Sequence, residues 1–175
     1  MQNILSRWQA SFFDLLQKYH GLGERERLLL RLAAILHDCG KFISMSAPGE
    51  CAYQIIMSTE ILGISHMERE MVASIVRYNT MELPNFNEFD GKLGNDEYLI
   101  VMKLAAILRV CNALDRSHRQ KFADMKLTIK DSNIVITTAY PDNITLEKKT
   151  LQDKQDFFEE VYGLGFEIKQ KKKKQ

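Results

Sequence analysis

Charge imbalance is the first thing this sequence lacks: 24 lysines and arginines against 23 aspartates and glutamates leave a net charge of +1 at pH 7. A chain so close to neutral is not drawn to polyanions by its overall field, so any such binding has to come from a local cluster. Cysteine is scarce and odd in number, with Cys39, Cys51 and Cys111 in or near helical patterns and no CxxC spacing. That argues against a disulfide framework and for a reducing, cytoplasmic compartment. No apolar run approaches the length of a membrane span, and the opening "MQNILSRWQASFFDLLQKY" has no continuous apolar core of the signal-peptide kind. Glycine-rich phosphate loops and Gly-x-Ser-x-Gly elbows are absent too.

What is present reads as a helical globular protein. A hydrophobic content of 45% with 27% charged residues is ordinary for one that buries a core, and 175 residues suffice for one domain with a small appendage. Ile4, Leu5, Trp8, Phe12, Leu15, Leu16 and Tyr19 fall on one face of a first amphipathic helix. Glu24 to Leu36 predicts a second helix, apolar nearly all round in its later part, and so central and buried. Glu50 to Leu62 predicts a third, with Gly63 as its cap. Ser65 and Glu68 form a capping box for a fourth that runs to about Tyr78. After a long polar loop, Tyr98 to about Lys121 forms a fifth that buries Leu104, Ile107, Leu108 and Cys111. The composition then changes. "MKLTIKDSNIVITTAY" alternates around a turn at Asp131–Asn133 as a hairpin does, Leu151 to Tyr162 predicts a helix, and "GLGFEIKQ" a short strand. The expected fold is mainly α: a helical body over residues 1–122, then a ββαβ appendage over 123–175 that ends in the basic tail Lys171–Lys174.

His37 and Asp38 stand side by side at the end of the apolar run "LLRLAAIL", just before Gly40. At a helix end both side chains can reach one ion, and imidazole with carboxylate suits a borderline or hard divalent cation. A buried ion pair, or a histidine bonded to backbone, is the plainer alternative. A second feature is basic. "LDRSHRQKFADMK" places Arg116, His118, Arg119, Lys121 and Lys126 close together, and Lys41 and Arg77 follow two of the motifs. Such a set reads either as a solvated face or as a groove for a polyanion that binds by counterion release. His20, in a turn before Gly21, is expected to cap or to lie at the surface.

The blocks "LLLRLAAILHDCGKFIS", "ILGISHMEREMVASIVRYN" and "KLAAILRVCNALDRSH", in that order, resemble the C-terminal HD-type region of the exopolyphosphatase and guanosine-pentaphosphate phosphatase family. The resemblance spans nearly the whole chain and implies an HD-like helical bundle. Full-length members carry two actin-like domains in front, which hold the exopolyphosphatase chemistry and have no counterpart here. The HD metal pattern matches at His37 and Asp38. Its early histidine would fall near Asn3 or Ile4, the histidine loop reads Pro48, Gly49, Glu50, Cys51, the "RYH" histidine is Asn79, and the late aspartate aligns with Asn112, three residues before Asp115. The resemblance thus implies an incomplete or vestigial metal site at His37 and Asp38, with Asp115 as a possible third ligand and no cofactor. Its amides are expected to face the interior and close it with hydrogen bonds. Three functions follow. One is a noncatalytic module that binds polyphosphate or another polyanion through Lys41, Arg77, Arg116 and Arg119, mediates dimerisation, or docks on the missing actin-like domains. Another is an active phosphohydrolase using a divalent metal on nucleotides or on guanosine tetra- and pentaphosphate. A third is a protein-interaction domain without a phosphate ligand.

Overall fold

A computed structural model describes residues 4–89 and 93–171; Asn3 and the basic residues Lys172–Lys174 lie outside the described residues. The chain is mainly α, as expected: α1 (Ile4–Leu15), α2 (Gln17–His20), α3 (Glu24–Leu36), α4 (Pro48–Ser58), α5 (His66–Thr80) and α6 (Asn95–Leu114) precede β1 (Lys126–Lys130), β2 (Asn133–Thr138), α7 (Thr145–Tyr162) and β3 (Gly165–Gln170). Among the described residues no helix is long and apolar enough to cross a membrane. The residues divide into two compact units, one of residues 1–21 with 109–175 and one of residues 22–108.

In the unit of residues 22–108, α5 packs on both α3 and α4. Its core is Leu29, Leu30, Ala33, Ala34, Ala52, Ile56, Val72, Ile75 and Val76, all 1% exposed or less. The end of α3 is not buried all round, since Ile35 is 55% exposed beside buried Ala33 and Ala34. Helix α4 starts two residues before the expected Glu50 because Pro48, at its first turn, brings a preset φ and no amide proton to satisfy. It stops at Ser58, not Leu62. The Ser58 and Thr59 hydroxyls donate to the Ile55 carbonyl at 3.0 and 2.7 Å, and Thr59 turns extended, so Gly63 caps nothing. The Ser65–Glu68 capping box is present: the Ser65 hydroxyl accepts from the Glu68 amide at 3.2 Å, and Glu68 accepts from the Ser65 amide at 2.7 Å. The Arg25 guanidinium also donates to Glu68, at 2.5 and 2.8 Å, and to the Gly63 carbonyl at 2.8 Å.

In the other unit, Asp131 and Ser132 have φ of 47° and 59°, the paired left-handed conformation of a two-residue hairpin turn. It sets the antiparallel register Ile129↔Ile134 and Leu127↔Ile136. Helix α7 then returns the chain so that β3 lies parallel to β2, with Ile134↔Phe166 and Ile136↔Ile168. Aromatic rings fill this core, Phe166 lying 4.7 Å from Phe158 and 6.4 Å from Phe12. His20 is a core residue and not a surface one: it is 5% exposed, donates from Nε2 to the Phe13 carbonyl at 2.9 Å, and has its ring 4.3 Å from that of Phe13.

Two consequences are measurable at α5. Ser65→Ala removes an N-cap and is expected to cost about 1 kcal/mol in chemical denaturation. The Arg25 guanidinium, with the Ser65 backbone, holds the Glu68 carboxyl down from 4.5 to about 2. A folded-state value below the unfolded one adds stability that is complete above pH 4.5 and lost as pH falls toward about 2. Glu68→Gln is therefore expected to unfold at lower temperature than the parent above that window and to match it at the acid end; a gap independent of pH would contradict this assignment.

Candidate functional site

The His37–Asp38 pair sits where α3 gives way to a 3-10 turn, Cys39–Phe42. A carbonyl only accepts, so the contact of His37 Nδ1 with the Ala34 oxygen at 3.0 Å makes Nδ1 the protonated nitrogen and leaves Nε2 facing Asp38. Nε2 lies 3.3 Å from Asp38 Oδ1, and the same oxygen lies 2.6 Å from the Lys41 ammonium. The tight turn brings the three together, and Gly40 permits it. A Cβ at that position would stand 1.9 Å from the Pro48 carbonyl oxygen and 2.5 Å from the Ala52 nitrogen, because the turn packs backbone to backbone against α4. Gly40 is there for this approach more than for breaking a helix. Gly49 plays the same part on the other side of α4, where a Cβ would lie 2.7 Å from the Arg77 carbonyl oxygen.

Arg77 does not join that group. Its guanidinium pairs with Glu50 at 2.8 Å and lies over the rings of Tyr53 and Tyr78, 5.1 and 5.5 Å from their centroids. Tyr53 in turn donates its hydroxyl to Glu70, a carboxylate only 2% exposed. Burial, reinforced by that bond, pushes the Tyr53 phenol well above its usual range. The Tyr53–Glu70 pair was not legible in the sequence, because Glu70 sits in the charged run Glu68–Arg69–Glu70 and looks like its less buried neighbours.

Arg116, Arg119 and Asp115 belong to the other unit, in the segment that follows α6. That helix ends at Leu114, seven residues before the expected Lys121, and His118 and Gln120 both take φ of 52°. Glu147 holds the segment. This α7 carboxylate is fully buried and accepts from the Ser117 hydroxyl at 2.5 Å and the Lys121 ammonium at 3.0 Å. Burial alone would raise its pKa, but the bonds from Ser117 and Lys121 outweigh it and leave the carboxyl below its ordinary value. Lys121 also donates to the Asn143 carbonyl at 2.9 Å, so it is structural and not a hand held out to a ligand. Arg116, just before the first anchor, and Arg119, between the two, are exposed, and among the described residues neither forms an ion pair. Asp115 Oδ2 lies 3.7 Å from His118 Nδ1.

A family model described as Ppx/GppA phosphatase, domain III, matches residues 4–156. The chain belongs to the Ppx/GppA phosphatase family. No curated protein is similar enough in sequence to count as a match. The match falls on the region of the family that the three sequence blocks resemble, so the HD-type metal pattern can be tested on the donors of this Ppx/GppA domain.

They do not fit a divalent ion as they are disposed. Among the described residues no three His, Cys, Asp or Glu side chains are grouped to hold one. The better-placed oxygen, Asp38 Oδ1, already has the Lys41 ammonium as its counter-charge. Asn79, where the pattern has a histidine, is 2% exposed and does face inward, but neither amide atom finds a hydrogen-bond partner among the described residues. A buried, unmet amide costs about 1–3 kcal/mol per group, so this residue does not close the site as expected.

Gly40→Ala is expected to destabilise the protein by roughly 3 kcal/mol or more, since the clash is with backbone that cannot swing aside; an unchanged unfolding midpoint would show that the 3-10 turn is loosely packed. Glu147→Ala leaves Lys121 without its buried counter-charge and should cost about 3–5 kcal/mol, with faster amide hydrogen exchange across residues 115–121. Protection there equal to the parent's would remove Glu147 as the anchor.

Proposed function

We propose that this Ppx/GppA domain is a noncatalytic, HD-like module of an exopolyphosphatase-type protein that binds polyphosphate or another phosphate polyanion. The observation that carries the reading is the sorting of the cations. Lys41, beside the His-Asp motif, and Arg77, across α4 from it, are matched by Asp38 and Glu50, whereas Arg116 and Arg119 stand exposed on a segment pinned from beneath. Matched cations have little to gain from a polyanion; exposed arginines on a fixed segment suit the planar, two-point recognition of phosphate oxygens. The noncatalytic part draws support from Asp38 Oδ1, which meets an ammonium and an imidazole of its own chain. A role in dimerisation, or in docking on actin-like domains, draws support from the run Phe42, Ile43 and Met45, exposed at 91%, 70% and 78%.

Polyphosphate titrations at two salt concentrations test the binding. The Arg116→Ala, Arg119→Ala double variant should lower the affinity and flatten the log–log salt slope by about 1.4, at ~0.7 for each phosphate no longer neutralised. Unchanged affinity and slope would make these arginines surface decoration. Elemental analysis after dialysis tests the rest: about one equivalent of divalent metal per chain, abolished by His37→Ala, would favour the phosphohydrolase instead.

A further inference from the structure

We propose that Lys154, Arg116 and Arg109 form the anchoring site for one phosphate group of a condensed phosphate chain, on the face shared by the end of α6 and the middle of α7. This rests on the polyanion reading above and adds to it a place and two residues that the basic segment after α6 does not contain. All three belong to the unit of residues 1–21 and 109–175.

Arg109 is a fixed charge. It is 8% exposed, and its guanidinium lies 4.2 Å from the centroid of the Phe157 ring. Lys154 precedes Phe157 by three residues on α7, so the two side chains lie on one face of that helix, next to Arg109. Lys154 is half-buried, and among the described residues its ammonium has neither an ion pair nor a hydrogen bond. Arg116, exposed two residues past the end of α6, completes the set from the surface. The charged groups that act on Lys154 are Arg109 and Arg116 from the α6 side and Asp153 on α7 itself. Burial weakens the hold of Lys154 on its proton, the two arginines weaken it further, and Asp153 alone works the other way.

Lys121, in the same unit, has Glu147 as its counter-charge. Lys154 has no ion pair among the described residues, and two arginines against one carboxylate act on it. An anion of more than one charge supplies the counter-charge that Lys154 lacks. A carboxylate ligand offsets a single charge; a phosphate chain brings a charge on every phosphoryl group to an ammonium and an exposed guanidinium set in Arg109's field. Lys154 then regains the proton affinity that its neighbours had weakened, so binding takes up protons in alkaline solution and tightens as pH falls.

The test is calorimetric titration of the full chain with tripolyphosphate at constant ionic strength. Lys154→Gln keeps most of the side chain's length and is expected to weaken binding about tenfold, the worth of one charged hydrogen bond, while Lys154→Arg stays close to the parent. In alkaline buffers of different ionisation enthalpy, the parent should take up protons on binding and Lys154→Arg should not. Should Lys154→Gln fail to fold, the buffer comparison between the parent and Lys154→Arg decides. Parent-like affinity for Lys154→Gln, with the Arg116, Arg119 double variant weakened, would overturn this site and leave the polyanion reading standing. No binding of tripolyphosphate or polyphosphate by the parent would overturn both.

Discussion

A fully buried carboxylate, Glu147, governs the unit built from the two ends of the chain. Taken out of water, it must be matched by fixed donors, and it draws in the Ser117 hydroxyl and the Lys121 ammonium. Those bonds stop α6 at Leu114 and make the next residues a tight segment in which His118 and Gln120 adopt left-handed backbone. Thr138, at the end of β2, donates to the Lys121 carbonyl at 3.0 Å, tying the sheet to the same point. Arg116 and Arg119 are carried outward on a support that has already used the neighbouring lysine. Exposed charge on a braced segment costs a ligand little in ordering, which suits recognition of phosphate groups.

In the unit of residues 22–108 the governing constraint is steric. Gly40 and Gly49 let the 3-10 turn and α5 approach the first turn of α4 at backbone distance from opposite sides. That approach places His37, Asp38 and Lys41 in one tight turn, where charge is satisfied locally. Lys41 neutralises Asp38, Glu50 neutralises Arg77, and Tyr53 meets Glu70. In this domain of the Ppx/GppA family, the His-Asp pair lies where the end of α3 gives way to that turn.

The sequence made some features legible and hid others for identifiable reasons. The capping box at Ser65 and Glu68, the helix Glu24–Leu36 and the hairpin at Asp131–Asn133 were readable because each depends on neighbours within four residues. The ends of α4 and α6 were not. Thr59 leaves the helix because hydroxyls compete for the Ile55 carbonyl, and α6 stops short because of a carboxylate more than thirty residues downstream of Leu114. His20 looked like a surface residue on account of its glycine neighbour, yet Phe13, seven residues back, supplies both its hydrogen bond and its ring partner.

The sequence by itself determined the helical body, the ββαβ order of the tail and the family, because periodicity, caps and motif order are properties of the chain read locally. It also marked which side chains could bear charge chemistry. Only the tertiary structure decided which of them still have charge to offer. Lys121 and Arg116 lie five residues apart in one basic run, and nothing in their spacing separates them. Glu147 does, because a buried carboxylate can hold only the lysine that folding brings within reach.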